Sequence, residues 1–138
     1  MPNTKKKILV VDDHPAMRQG LRAIFHAASD LTVCGEAENA QNAIAAAKTL
    51  QPDVTIVDIS LGKGVDGFEV MRRLHRKWPD MPLLAFSLHE ERAYCDAALA
   101  AGARGYCTKG EPSTVLIGAV RDVLKGKSFI SKKIRLKR

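Results

Sequence analysis

Short apolar runs rich in β-branched residues alternate along this chain with segments whose apolar residues recur at helical spacing. The runs predict five β-strands, at residues 8–11, 31–34, 54–57, 83–86 and 105–107. A helix is predicted after Pro15, which suits a first helical turn. Its apolar face comprises Met17, Leu21, Ile24, Phe25 and Ala28. Four further helical segments follow, around residues 40–50, 71–78, 93–101 and 116–124.

Alternating strands and helices favour an α/β fold in which right-handed βαβ units build a doubly wound parallel sheet. We predict the flavodoxin-like (βα)5 arrangement with strand order 2-1-3-4-5. In that order strands 1 and 3 are neighbours at the point where the winding reverses, and a crevice opens beyond their carboxyl ends. A binding site is expected in this crevice.

Polar residues stand at the ends of four predicted strands. Asp12 and Asp13 follow the first strand, Asp58 the third, Ser87 the fourth and Lys109 the fifth. Because the carboxyl ends of parallel strands lie along one edge of a sheet, these side chains are expected to converge. A single aspartate at a strand end is more often a turn or helix-cap residue. The occurrence of such polar residues at four strand ends favours a shared site.

The chemistry of that site would combine three carboxylates with a hydroxyl and an ammonium. Carboxylates ~5 Å apart repel one another by about 3 kcal/mol per pair, so a cation must offset the repulsion. Oxygen ligands favour Mg²⁺, and an aspartate beside such a metal can attack phosphorus. In this interpretation Asp12 and Asp13 hold the metal and Asp58 is the nucleophile. Ser87 and Lys109 bind phosphoryl oxygens in the product.

Length and charge restrict the possibilities further. The 138 residues suffice for one domain with its own core. The formal net charge is +7, but residues 125–138 carry seven Lys and Arg and no acid. We therefore predict a folded domain at residues 1–126 and a basic linker or tail at 127–138. Cysteines without Cys-x-x-Cys spacing indicate reduced thiols, and no apolar segment approaches membrane-spanning length, which together predict a cytoplasmic protein without membrane contact.

Four motifs resemble those of a known family. They are Val10-Val-Asp-Asp-His-Pro15, Asp58-Ile-Ser followed by Asp66-Gly67, Leu-Ala-Phe-Ser87, and Gly102-Ala-Arg-Gly-Tyr-Cys-Thr-Lys109. Together they resemble the receiver (phosphoacceptor) domain of bacterial two-component response regulators over residues 5–126. The Asp-Asp-His-Pro and Gly-Ala-Arg-Gly-Tyr segments are most similar to the NarL/FixJ (LuxR-type) class.

The resemblance implies a phosphorylation-dependent switch that works with Mg²⁺. Asp58 would accept a phosphoryl group from the histidine of a sensor kinase. Asp13, Asp58 and the backbone carbonyl of Ser60 would bind the metal, and Asp12 would act mainly through the water shell of the metal.

The resemblance also implies how the signal spreads. Ser87 would move toward the phosphoryl group beside Lys109, and the strand-5 aromatic Tyr106 would turn inward. The added −2 charge would favour the conformer that closes around it. His89 stands where the family tunes dephosphorylation. The alternatives are a half-buried strand aromatic without a switching role for Tyr106 and an exposed histidine without a role for His89.

Members of this class usually continue into a helix-turn-helix domain that binds DNA. The resemblance therefore implies transcription regulation through an output domain absent from this chain, with residues 127–138 leading to it. It also implies homodimerisation on phosphorylation and a protein that assists its own phosphorylation without turning over an external substrate. We interpret His14, between Asp13 and Pro15, as a helix-start residue and not as a metal ligand.

Two features depart from the family pattern. The loop from Leu61 to Asp66 is one residue longer than usual and contains glycines where proline is common, which leaves the phosphorylation rate and the loop geometry open. Lys109 is followed by Gly110, where many receivers have proline after a cis bond, so the isomer of this peptide bond is not predicted.

Three other functions stay open. An atypical receiver that acts without phosphorylation is consistent with the altered loop. A Mg²⁺-dependent phosphohydrolase with an aspartate nucleophile would use similar chemistry, but such enzymes carry Asp-x-Asp after strand 1. A flavodoxin-like cofactor binder would need a phosphate-binding loop there, and Asp-Asp-His-Pro would repel a phosphate.

Overall fold

The computed structural model describes residues 4–59 and 66–136. Its strands are β1 (Lys6–Val11), β2 (Leu31–Ala37), β3 (Val54–Asp58), β4 (Leu83–Ser87), β5 (Gly105–Thr108) and β6 (Phe129–Ile130). Its helices are α1 (Pro15–His26), α2 (Ala40–Leu50), α3 (Gly67–Lys77), α4 (Arg92–Ala100), α5 (Ser113–Leu124) and α6 (Lys132–Arg135). The strands pair in parallel in the order β2-β1-β3-β4-β5-β6. This confirms the predicted order of the first five strands.

Two apolar layers cover the sheet. Leu9, Val11 and Val57 pack with α2, α3 and α4 on one face. Ile8, Val10 and Ile56 pack with α1 and α5 on the other face. Because successive side chains of a strand point to opposite faces, one short apolar run supplies both layers. Continuous apolar strands without alternation are typical of parallel sheets that are buried on both sides.

The register of the strands aligns their carboxyl ends. Val11 lies opposite Val57, Asp58 opposite Phe86, and Ser87 opposite Thr108. The residues that end or follow β1, β3, β4 and β5 therefore share one edge of the sheet. That edge is the predicted position of the site.

The segment after α5 differs from the predicted linker or tail. Phe129 and Ile130 pair with Gly105 and Tyr106 as β6, and α6 follows directly. Ile134 is fully buried in the same layer as Tyr106. The sequence signal for this strand is weak because a run of two residues has no measurable periodicity. Lys132, Lys133 and Arg135 are exposed, while Phe129 and Ile130 extend the edge of the sheet and Ile134 packs in its apolar layer.

Three smaller points concern the chain more generally. Within residues 4–59 and 66–136 no helix combines the length and apolar character needed to cross a bilayer. The three cysteines are free thiols, as predicted. The peptide bond between Lys109 and Gly110 is trans, like every other peptide bond in the part of the chain that the structure describes.

Candidate functional site

Backbone hydrogen bonds hold the predicted site residues at the carboxyl edge of the sheet. The N–H of Asp12 donates to the carbonyl of Ala37 at 2.9 Å, which fixes the residue after β1 against the end of β2. The N–H of Lys109 donates to the carbonyl of Ser87 at 2.7 Å, which ties the residue after β5 to the end of β4. Asp58 is itself the last residue of β3. The site is therefore built on strand ends that backbone hydrogen bonds attach to the neighbouring strands.

Lys109 reaches across the crevice to two carboxylates. Its Nζ lies 3.3 Å from Oδ2 of Asp58 and 3.8 Å from Oδ2 of Asp12. Asp12 and Asp58 are each 1 % exposed and Lys109 is 7 % exposed, so these charges are largely removed from water. Asp13, at the rim, adds a third carboxylate. Lys109 thus lies beside two of the three clustered carboxylates, an arrangement that suits a bound divalent cation.

His14 joins this cluster, which the sequence analysis did not predict. It occupies the N-cap position of α1, but its side chain makes no capping hydrogen bond. Its Nδ1 lies 3.0 Å from a carboxylate oxygen of both Asp12 and Asp13, and 3.9 Å from Oδ2 of Asp58. The position in the chain, directly after two acids, was the only sequence signal for this contact.

The donor set fits a divalent cation. Asp12, Asp13, His14 and Asp58 each offer one ligand atom, and these atoms all lie within 4.8 Å of one another. Opposite ligands of an octahedral Mg²⁺ are about 4.2 Å apart, so a small adjustment would bring oxygens of the three carboxylates around one ion. Oδ2 of Asp12 is buried and has no hydrogen-bond partner among the described residues. Ser60, the fourth predicted ligand, lies outside the described residues, as does the glycine-containing loop at 61–65.

Ser87 and Tyr106 meet at the loop between β4 and α4. Oγ of Ser87 accepts a hydrogen bond from the N–H of His89 at 2.9 Å. The hydroxyl of Tyr106 donates to the carbonyl of the same His89 at 2.7 Å. Tyr106 is fully buried and not half-buried, while its role in switching stays a prediction. Burial raises the pKa of its hydroxyl to about 12. The side chains of Tyr106 and Ser87 thus both form hydrogen bonds with the loop between β4 and α4.

The side chain of His89 packs on α4. Its ring stacks on Tyr94 with centroids 3.9 Å apart and planes 4° apart. Its Nδ1 lies 3.7 Å from Glu91 Oε2. The ring is therefore held by an aromatic contact that the sequence did not reveal, because Tyr94 belongs to a weakly amphipathic helix.

The packing around Gly67 explains why a glycine follows Asp66. A Cβ at this position would lie 2.6 Å from the carbonyl oxygen of Asp58 and 2.5 Å from Cα of Ile59. The preceding Asp66 caps α3 by accepting a hydrogen bond from the N–H of Phe68 at 2.9 Å. Only glycine permits the first turn of α3 to approach the backbone of the candidate acceptor so closely.

Comparison with protein families identifies the same part of the chain. The sequence model described as the response regulator receiver domain matches residues 8–121. The match contains every strand end that contributes to the site and stops before β6 and α6.

Individual relatives agree with this match. The chain is 35% identical over 128 residues to the response regulator GacA of Pseudomonas syringae pv. syringae (strain B728a), covering 93% of this chain and 59% of GacA. It is 33% identical over 130 residues to the transcriptional regulatory protein DegU of Brevibacillus brevis, covering 94% of this chain and 55% of DegU. The chain therefore spans less than two thirds of the length of these relatives.

A solved structure gives the same result for the fold. The crystal structure of a LuxR-family two-component response regulator from Aurantimonas sp. SI85-9A1 superposes with a TM-score of 0.90 at 30% sequence identity. The superposition covers 96% of this chain and 94% of that one.

Proposed function

This chain belongs to the response regulator receiver domain family, and on that premise we propose that it is a switch controlled by phosphorylation of Asp58. The observation that carries the proposal is the short distance from Lys109 Nζ to Asp58 Oδ2, 3.3 Å, inside a crevice lined by further carboxylates. An aspartate in this setting is buried, oriented and partly neutralised. These are the conditions that phosphoryl transfer requires of an acceptor.

The residues of the crevice have distinct tasks in this proposal. A carboxylate oxygen of Asp58 forms a bond to phosphorus while the bond between phosphorus and the donor breaks, and the electron pair leaves with the donor. Asp12 and Asp13 would hold Mg²⁺, which supplies positive charge to the phosphoryl oxygens when bound. Lys109 contacts the carboxylate of Asp58 before the transfer and the phosphoryl group after it. The domain acts as a stoichiometric acceptor and not as an enzyme with turnover.

The phosphoryl group would act on the loop between β4 and α4. Phosphorylation adds about −2 charge and three acceptor oxygens, to which Ser87 at the end of β4 and Lys109 directly after β5 can donate hydrogen bonds. When the Ser87 side chain moves to donate to the phosphoryl group, its Oγ withdraws from the N–H of His89, the residue whose carbonyl accepts the hydrogen bond of Tyr106. Changing a conformer from one per cent to ninety-nine per cent requires about 5.5 kcal/mol, which a few charge-assisted hydrogen bonds can provide.

The partners follow from the family and from the relatives. We propose a sensor histidine kinase as the phosphoryl donor, which also places the domain in the cytoplasm. GacA and DegU are named as a response regulator and a transcriptional regulatory protein, and both are longer than this chain. By analogy we propose that the domain works with a DNA-binding output domain and forms a homodimer after phosphorylation.

Intact mass spectrometry tests the central proposal. The protein is incubated with Mg²⁺ and acetyl phosphate, and we expect one phosphoryl adduct on the wild type and none on Asp58→Asn. Asp96→Asn, which changes an exposed aspartate on α4, is the matched control and should form the adduct normally. An adduct that persists in Asp58→Asn would refute the assignment of the acceptor. No adduct on the wild type would favour an atypical receiver, and continued release of phosphate from a phosphomonoester would favour a phosphohydrolase.

A further inference from the structure

The segment of residues 129–136, here called the C-terminal segment, contacts both elements that carry the proposed switch. It lies beyond residues 8–121, which match the family. β6 pairs with β5 through Gly105 and Tyr106. The N–H of Ser131 then donates to the carbonyl of Tyr106 at 3.0 Å. The segment is thus attached to the strand that leads directly to Lys109.

Ser131 extends this pairing by one residue beyond the end of β6. Its hydroxyl accepts a hydrogen bond from the N–H of Thr108 at 2.9 Å, and both residues are buried. Without this hydroxyl the N–H of Thr108 would lose its partner at the edge of the sheet, where water has little access. On the opposite side of the strand, the N–H of Lys109 is fixed to the carbonyl of Ser87. The backbone that presents Lys109 is therefore held from both sides.

A second contact reaches the loop between β4 and α4. Nζ of Lys133 lies 3.2 Å from Oε2 of Glu90. Glu90 directly follows His89, whose carbonyl accepts the hydrogen bond of Tyr106. Ile134 is fully buried in the layer that contains Tyr106. A movement of the loop between β4 and α4 would therefore change both the contact of Lys133 with Glu90 and the packing of Ile134 near Tyr106.

We propose that the C-terminal segment is a coupled part of the switch, in which Ser131 is a positioning residue for Thr108 and Lys109 and α6 changes its docking when Asp58 is phosphorylated. This inference rests on the proposed function and adds the element that receives the signal. Two groups that share contacts in this way influence each other reciprocally, so a phosphoryl group that alters β5 and the loop must alter the stability of the docked segment. In longer relatives the chain that follows would then be moved by this segment.

Hydrogen exchange of the intact chain, monitored by mass spectrometry, tests the coupling. Exchange is compared with and without acetyl phosphate and Mg²⁺, while the intact mass of the same sample reports phosphorylation. For the wild type we expect the exchange rates of amides in residues 129–136 to change by at least about fivefold on phosphorylation. In Ser131→Ala samples that are phosphorylated to the same extent as the wild type by intact mass, the response of these amides should fall below about twofold. Ser131→Thr, which keeps a hydroxyl, should restore the response.

Two further variants provide a control and a second test of the coupling. Ser113→Ala removes an exposed hydroxyl at the start of α5 and should respond like the wild type. Lys133→Ala removes a surface side chain and should reduce the response at least about twofold, even if Ser131→Ala does not fold. Fully phosphorylated wild type with unchanged exchange at 129–136 would overturn the coupling and leave the proposed function intact. An undiminished response in both Ser131→Ala and Lys133→Ala would also overturn it. A wild type that forms no adduct would refute the proposed function itself, and the coupling with it.

Discussion

Neutralising Asp58 should stabilise the domain when no metal is bound. The ligand atoms of the acidic cluster lie within 4.8 Å of one another, and Lys109 lies 3.3 Å from Asp58. With an effective dielectric constant near 20, each of two repulsions at the longer distance costs about 3.5 kcal/mol, and the attraction to Lys109 contributes about 5 kcal/mol. The repulsions exceed the attraction by about 2 kcal/mol. Asp58→Asn should therefore raise the free energy of unfolding by about that amount.

Thermal and urea denaturation measure this effect directly. For a domain of this size, 2 kcal/mol corresponds to an increase of roughly 8 °C in the melting temperature. Mg²⁺ should reduce the difference, because a cation at one hundred times its dissociation constant stabilises the wild type by about 2.7 kcal/mol and binds the variant more weakly. Asp96→Asn, at an exposed position, should change the stability by no more than about 0.5 kcal/mol.

Two results would refute this reasoning. One is an Asp58→Asn variant that is less stable than the wild type in the absence of metal, because it would mean that the pair with Lys109 dominates the site. The other is an equal stabilisation of both proteins by Mg²⁺, because it would place the metal away from Asp58.

Three further predictions concern the packing around the site. Gly67→Ala should lower the free energy of unfolding by about 1–3 kcal/mol in urea denaturation and slow adduct formation, because its Cβ would collide with the carbonyl of Asp58; an unchanged stability would contradict the close approach. Ile134→Ala should cost about 2–5 kcal/mol, while Leu136→Ala, at an exposed residue, should have little effect; equal effects would mean that α6 is not part of the core. Burial raises the pKa of Tyr106 to about 12 from an ordinary value near 10, so its contribution to stability is complete below pH 10 and is lost as the pH rises toward 12. Tyr106→Phe should flatten the pH dependence of stability in that interval, and identical alkaline slopes would contradict this.

The order of the sheet was predictable because its signals are local. A strand that is buried on both faces needs a continuous apolar run, and a helix that packs on one face needs an apolar stripe. Both patterns are visible in the sequence without any knowledge of the fold, as in the apolar runs that begin at Val54 and Leu83. Chain connectivity and the handedness of βαβ units then leave few possible topologies. The convergence of Asp12, Asp58 and Lys109 follows from that topology, although their roles in phosphoryl transfer stay predictions.

The contacts within the site depended on the tertiary structure. His14 satisfies the pattern of a helix start, and its contacts with Asp12 and Asp13 are local, but only the fold brings its ring to within 3.9 Å of Asp58. The stacking of His89 on Tyr94 depends in the same way on how α4 packs. Such contacts depend on side-chain rotamers and on the course of the loops beside the strand ends, which no spacing along the chain encodes.

The sequence by itself determined which segments are buried, how they alternate and which polar residues end the strands, because burial leaves a periodic pattern in a chain. The tertiary structure alone decided that residues 129–136 belong to the domain. Their two-residue strand, and the single isoleucine of their short helix, gain stability only from the exposed edge of β5 and from the apolar layer beside it. The edge exists only after the other five strands have assembled, so the favourable free energy of adding a sixth strand cannot be assigned to any local pattern.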